Sequence, residues 1–169
     1  CYAELLALRY HKRENLDILV GGLDSLSSCQ YDYIVLVGVL EKIAATPKVD
    51  LKEYLKTLSK LLKPDGIILI AVDNRYGLQY FCGKPYPDNG LPFGGLHHEQ
   101  KEKRRHLFSG YELKTILEKV GFYKKKYYYP MPDYKIPQMI YSAQYLPQND
   151  VGERLIFYHP LETCRVASE

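Results

Sequence analysis

His97, His98 and Glu99 stand together in the chain, and Asp73, Asn74, Tyr76 and Tyr111 lie within reach in sequence on either side. Imidazole ionises near neutral pH, so His98 is the first choice as a general base, with Asp73 and Tyr76 as further proton-handling groups. Two histidines and a carboxylate are also metal-ligand types. Adjacent residues seldom converge on one ion, however, and no distant third ligand is spaced to join them, so no metal is expected. The same residues would be at home on a solvated loop. Cys1, Cys29, Cys82 and Cys164 are far apart, without a Cys-x-x-Cys pair, and read as unrelated thiols of a reducing, cytoplasmic compartment.

These groups must be held by the elements around them. Tyr2 to Tyr10 carries Leu5, Leu6 and Leu8 and reads as the tail of a helix. Leu16 to Val20 alternates weakly before Gly21-Gly22, which predicts a strand at 17–20. Tyr31 to Val39 is a continuous Val- and Ile-rich run, the pattern of a parallel strand covered on both faces. Asp50 caps a helix over 51–62 with Glu53 three residues on, and Lys63-Pro64-Asp65-Gly66 is the turn that ends it. Ile67 to Val72 is a second buried strand, which makes strand, helix, turn, strand: a right-handed parallel crossover. Residues 82–108 hold four glycines and three prolines without periodicity and predict a long loop or lid. Ser109-x-x-Glu112 is a capping box for a helix over 110–120 that stops at Gly121. Phe122 to Tyr129, Ile140 to Tyr145 and Arg154 to Tyr158 read as strands, with an antiparallel hairpin after 122.

Length and composition exclude several classes. The 169 residues suit one domain, and 46% apolar with 25% charged residues is globular composition, not that of a disordered chain. The longest apolar runs fall far short of a membrane span. A net charge of +3, with basic runs interrupted by Glu or followed by tyrosines, does not argue for nucleic acid. The 17 tyrosines against no Trp suit a half-buried sheet surface or a polar pocket that stacks on sugars or bases. Because the first residue is Cys1, the sequence is expected to be a piece of a longer polypeptide, or one from which a leader was removed.

Three stretches in order carry a resemblance: Tyr31-Asp32-Tyr33-Ile34-Val35-Leu36, then Leu62-Lys63-Pro64-Asp65-Gly66-Ile67-Ile68-Leu69-Ile70, then Leu107-Phe108-Ser109 through Glu112-Leu113 and Leu117 to Gly121-Phe122. Together they resemble class I S-adenosylmethionine-dependent methyltransferases. Asp73 to Leu78 and Tyr129 to Tyr134 look further like methyltransferases of bacterial lipopolysaccharide and surface-polysaccharide biosynthesis. The resemblance implies an α/β, Rossmann-like fold with a mostly parallel sheet and a C-terminal antiparallel hairpin. It implies one methyltransferase-like domain over 1–169, truncated at its front, because no glycine-rich strand-turn-helix and no acidic second strand end occur here.

On this basis S-adenosylmethionine is the cofactor of the complete enzyme and is held weakly or not at all by this chain. Ligands sit outside the carboxyl ends of parallel strands, which points to Gly38, Val39 and Glu41 for the cofactor. The resemblance adds Asp24, after the strand at Ile18, facing the adenine. A hydroxyl acceptor needs a base, the role given to His98, and Asn74, Arg75, His97 and Tyr111 are expected to hold a small-molecule or sugar acceptor. Asp24 also suits a bare turn, and Glu41 suits a first helical turn without any ligand. The alternative class is a non-catalytic interaction or assembly module that keeps part of the fold. A nicotinamide-dependent oxidoreductase shares the sheet logic but fits the capping-box helix and terminal strands poorly. If no other strand covers Tyr33 to Gly38, that open edge is expected to pair with 17–20 or with a second copy, giving a homodimer.

Overall fold

A computed structural model describes residues 2–26, 29–86, 90, 92–93, 105–131 and 133–146. The elements are α1 (Tyr2–Tyr10), β1 (Tyr31–Val37), α2 (Leu40–Ala45), α3 (Leu51–Leu61), β2 (Leu62–Ala71), α4 (Leu78–Phe81), α5 (Gly110–Val120), β3 (Tyr128–Met131) and β4 (Met139–Ser142).

β1 and β2 pair in parallel, with Tyr33 opposite Ile67 and Val37 opposite Ala71. The connection through α2 and α3 is the crossover the pattern requires. The Lys63-Pro64-Asp65-Gly66 turn is absorbed into β2: the register jumps between Tyr31↔Leu62 and Tyr33↔Ile67, so these four residues leave the ladder. Gly66 is needed there, since a Cβ would lie 3.0 Å from the carbonyls of Tyr31 and Lys63. Lys63 Nζ reaches back across the irregularity to Asp32 at 2.8 Å and holds that exposed carboxyl below its usual range.

The helices form where their signals lie. Asp50 Oδ1 accepts the N–H of Lys52 at 2.8 Å at the start of α3, and Ser109 Oγ accepts that of Glu112 at 3.1 Å at the start of α5. Gly121 stops α5 at φ +103°, a left-handed cap open to glycine. Leu55 and Leu58 of α3 and Leu113 and Leu117 of α5 meet Leu36, Leu40 and Phe108, with Ile34, Ile68 and Ile70 against them. This is the core, and it lies on one face of the parallel pair.

The other face has no cover among the described residues. Tyr33, Val35, Val37, Ile67 and Leu69 are each at least half exposed, so the described residues cover β1 and β2 on one face and not on both. Residues 17–20 form no strand, and Leu19 and Val20 are exposed, because nothing described pairs with them. The edge of β1 away from β2 therefore has no neighbour among the described residues. Among the described residues the strands form two pairs, the parallel β1–β2 and the antiparallel β3–β4. The hairpin starts later than its apolar pattern, at Tyr128 and not at Phe122, with Tyr129 opposite Tyr141. The expected strand at 154–158 lies outside the described residues, as does most of the 82–108 loop. No helix among the described residues is long and apolar enough to cross a membrane.

Leu55 is fully buried, so Leu55→Ala should cost about 2–5 kcal/mol of stability. Tyr111 is 82% exposed, and Tyr111→Ser should change stability by less than about 0.5 kcal/mol. Urea unfolding of both variants checks the pair; equal losses would contradict this placement of the core.

Candidate functional site

The polar groups gather where β1 and β2 end. Gly38 follows β1 in the left-handed region at φ +64°, and its N–H donates to the carbonyl of Ala71 at 2.9 Å. A side chain there would be strained by the backbone, and its Cβ would lie 2.9 Å from Oη of Tyr134. Val39 caps α2, its carbonyl accepting from the N–H groups of Lys42 and Ile43.

Glu41, on the first turn of α2, is 3% exposed. Its Oε1 accepts the N–H of Asp73 at 2.9 Å, and its main-chain carbonyl accepts that of His106 at 2.8 Å. One residue thus joins the exit of β1, the exit of β2 and the segment before α5. Its other oxygen, Oε2, is buried without a hydrogen-bond partner among the described residues. Asp73 itself is 7% exposed, so two carboxylates are buried at this end of the sheet.

The segment before α5 runs beside the end of β2. Asn74 and Phe108 form a parallel bridge, and the N–H of Arg75 donates to the Phe108 carbonyl at 2.9 Å. Asn74 Oδ1 accepts the N–H of Tyr76 at 3.0 Å, the usual way an Asn side chain fixes a turn. The Arg75 guanidinium lies 5.7 Å from the Tyr76 ring centre. Beyond the turn, Tyr80 packs with Tyr86 and Leu107 in a small second cluster. Opposite, Asp133 Oδ1 accepts the N–H groups of Lys135 and Ile136 and fixes the turn that carries Tyr134.

Two phenols report the character of this crevice. Burial, and then the charges of Asp73 and Glu41, push the Tyr134 phenol up to about 12. Burial, and then Asp73, hold the Tyr80 phenol well above its ordinary value. Both hydroxyls stay neutral at any ordinary pH, so they can donate or accept a hydrogen bond beside two carboxylates. The field suits a ligand that carries positive charge.

The chain matches a family model described as a methyltransferase domain over residues 7–126, more than two thirds of its length. The chain belongs to the methyltransferase-domain family. Its Rossmann-like fold places ligands outside the carboxyl strand ends, which is where Gly38, Glu41 and Asp73 converge. Methyltransferase domains of this class use S-adenosylmethionine in general. Searches of curated proteins and of solved structures give no significant match.

Of the residues singled out by sequence, the structure brings Gly38, Val39, Glu41, Asp73 and Asn74 together, with Arg75 and the half-exposed Tyr76 in the adjoining turn. Asp24 lies exposed in a single 3-10 turn, Leu23–Ser25, although its neighbour Leu23 packs on the core. Tyr111 points to solvent from the first turn of α5. His97, His98 and Glu99 lie outside the described residues. Among the described residues no group of three His, Cys, Asp or Glu could hold a metal ion. Sequence reasoning missed Tyr80, Tyr134 and His106. Only the Asp133-Tyr134-Lys135 turn signal and the position of His106 just ahead of the capping box hinted at them.

Gly38→Ala should destabilise the protein by about 1–2 kcal/mol or more, from its backbone conformation and from the approach of Tyr134. The loss should shrink in a Tyr134→Phe background, since the clashing oxygen is gone; strictly additive urea-unfolding values would contradict the contact. The same Tyr134 variant tests the crevice field. The folded protein holds the Tyr134 proton more tightly than the unfolded chain, whose phenol ionises near 10. That stabilisation is complete below pH 10 and is lost as pH rises through about 12. Tyr134→Phe should therefore flatten the decline of stability across this window, and an unchanged slope would contradict the assignment.

Proposed function

We propose that the chain forms one wall of the cofactor and acceptor site of an S-adenosylmethionine-dependent methyltransferase acting on a sugar or other hydroxylated intermediate of surface-polysaccharide biosynthesis. The observation that supports this most is the Glu41–Asp73 tie at the ends of the paired parallel strands, inside the stretch that matches the methyltransferase domain. The residues fit the cofactor: Gly38 lets the backbone and the Tyr134 hydroxyl approach closely at the crevice floor, and two buried carboxylates favour a sulfonium cation. When bound, S-adenosylmethionine supplies the activated methyl group.

The chain's own residues then divide the remaining work. Gly38, Val39 and Glu41 shape the floor, and Asp24 reaches the adenine. Asp73 and Tyr76 flank the reacting centre. Asn74 and Arg75, in the turn beyond β2, hold the acceptor, orienting its hydroxyl for in-line attack. A second reading, a non-catalytic assembly module, draws on the bare apolar face of Tyr33, Val35, Val37, Ile67 and Leu69 and on the open β1 edge, where a second copy would pair.

Among the described residues no glycine-rich strand-turn-helix receives the rest of the cofactor. Binding to this chain should therefore be weak, with a dissociation constant of about 1 mM or higher, or roughly 4 kcal/mol or less. In an NMR titration with S-adenosylmethionine the amides of Gly38, Asp73 and Asn74 should shift in this range. Shifts confined to the bare face, or none, would favour the assembly reading.

A further inference from the structure

One side-chain pair beside the crevice has no part in the reading above. His106 Nε2 lies 2.7 Å from Glu112 Oε1, and its ring stands edge-on to Phe108 with centroids 4.7 Å apart at 73°. Phe108 is 2% exposed, so the ring leans on a fixed wall. The main-chain N–H of His106 is held by the Glu41 carbonyl, which seats the residue against the crevice floor. The side chain keeps 26% of its surface open. A histidine oriented by a carboxylate on one nitrogen, with the other left to react, is a common arrangement for a base.

We propose that His106 takes the proton from the acceptor hydroxyl, with Glu112 as its positioning residue; the proposal rests on the methyltransferase reading of this site. The Glu112 carboxylate accepts from Nε2–H and so leaves the lone pair on Nδ1. As the acceptor oxygen forms its bond to the methyl carbon, its hydroxyl proton passes to Nδ1. The carbon–sulfur bond breaks with its electron pair on sulfur, leaving a methyl ether, a neutral thioether and an imidazolium that returns the proton to solvent. The capping box thereby has two uses: the Glu112 main-chain N–H closes the start of α5 on Ser109, while the carboxylate holds the base. On sequence alone this role goes to His98, which lies outside the described residues; the geometry of the described residues points to His106.

The test uses the 169-residue chain and two readouts. Nitrogen NMR of labelled histidine near neutral pH should show His106 protonated on Nε2 alone, and Glu112→Gln should turn it into a mixture of tautomers. A wild-type ring protonated on Nδ1, or on both nitrogens, overturns the proposal whether or not the variant folds. Diethyl pyrocarbonate labelling, read by mass spectrometry, then locates the ring relative to the ligand. S-adenosylhomocysteine at about ten times its dissociation constant should slow labelling of His106 about tenfold by mass action. His11, exposed and bonded to the carbonyl of Leu8, should label as before. Protection of His98 with His106 still reactive would overturn the proposal and leave the methyltransferase reading standing. If S-adenosylhomocysteine shifts no amide at Gly38 or Asp73, that reading fails and the proposal with it.

Discussion

The hydrogen bond from the Asp73 main chain to the buried Glu41 carboxylate is the constraint from which the crevice follows. A carboxylate taken out of water is costly unless its oxygens are bonded, and Glu41 uses one oxygen on β2 while its carbonyl holds the segment before α5. Three chain segments distant in sequence are brought to one end of the parallel pair by a single residue. The unpartnered Oε2 is the unfavourable part of the arrangement. A fold that needed only to connect these segments would do so at less cost with a neutral side chain. Burial and then Asp73 raise both phenols, and the retained charge of Glu41 adds to that field.

The elements legible in the sequence were those with both an apolar period and a terminal signal. α3 and α5 had capping residues, apolar stripes and a stop, and they lie where those signals place them. The ends of β1 and β2 could be named because a buried parallel strand must finish at polar residues, here Gly38 and Asp73. The stretch at 17–20 was misread because alternation shows a capacity to pair and not the presence of a partner. α2 and α4 are short, with no side-chain cap to announce them. Tyr134 and His106 reach the crevice through contacts across long stretches of chain, which no local pattern records.

The two faces of the parallel pair differ for a related reason. Leu36 and its neighbours are buried because α3 and α5 follow them closely in the chain and return to the same side. Tyr33, Val35 and Val37 have the same apolar character and no cover among the described residues. Parallel sheets are ordinarily covered on both faces, so the bare face is the part of the fold that most needs another element. The site itself is less affected, since its ties run between α2, the end of β2 and the segment before α5.

Amide hydrogen exchange at Asp73 tests the central tie most directly. With Glu41 in place, the Asp73 N–H should exchange as slowly as the ladder amides of β2, opening only when the parallel pair unfolds. In Glu41→Met, which keeps the bulk and removes the acceptor, it should exchange far faster than that ladder. An Asp73 amide that remains as slow as the ladder in the variant would show that Glu41 does not hold the crevice, and would contradict the account.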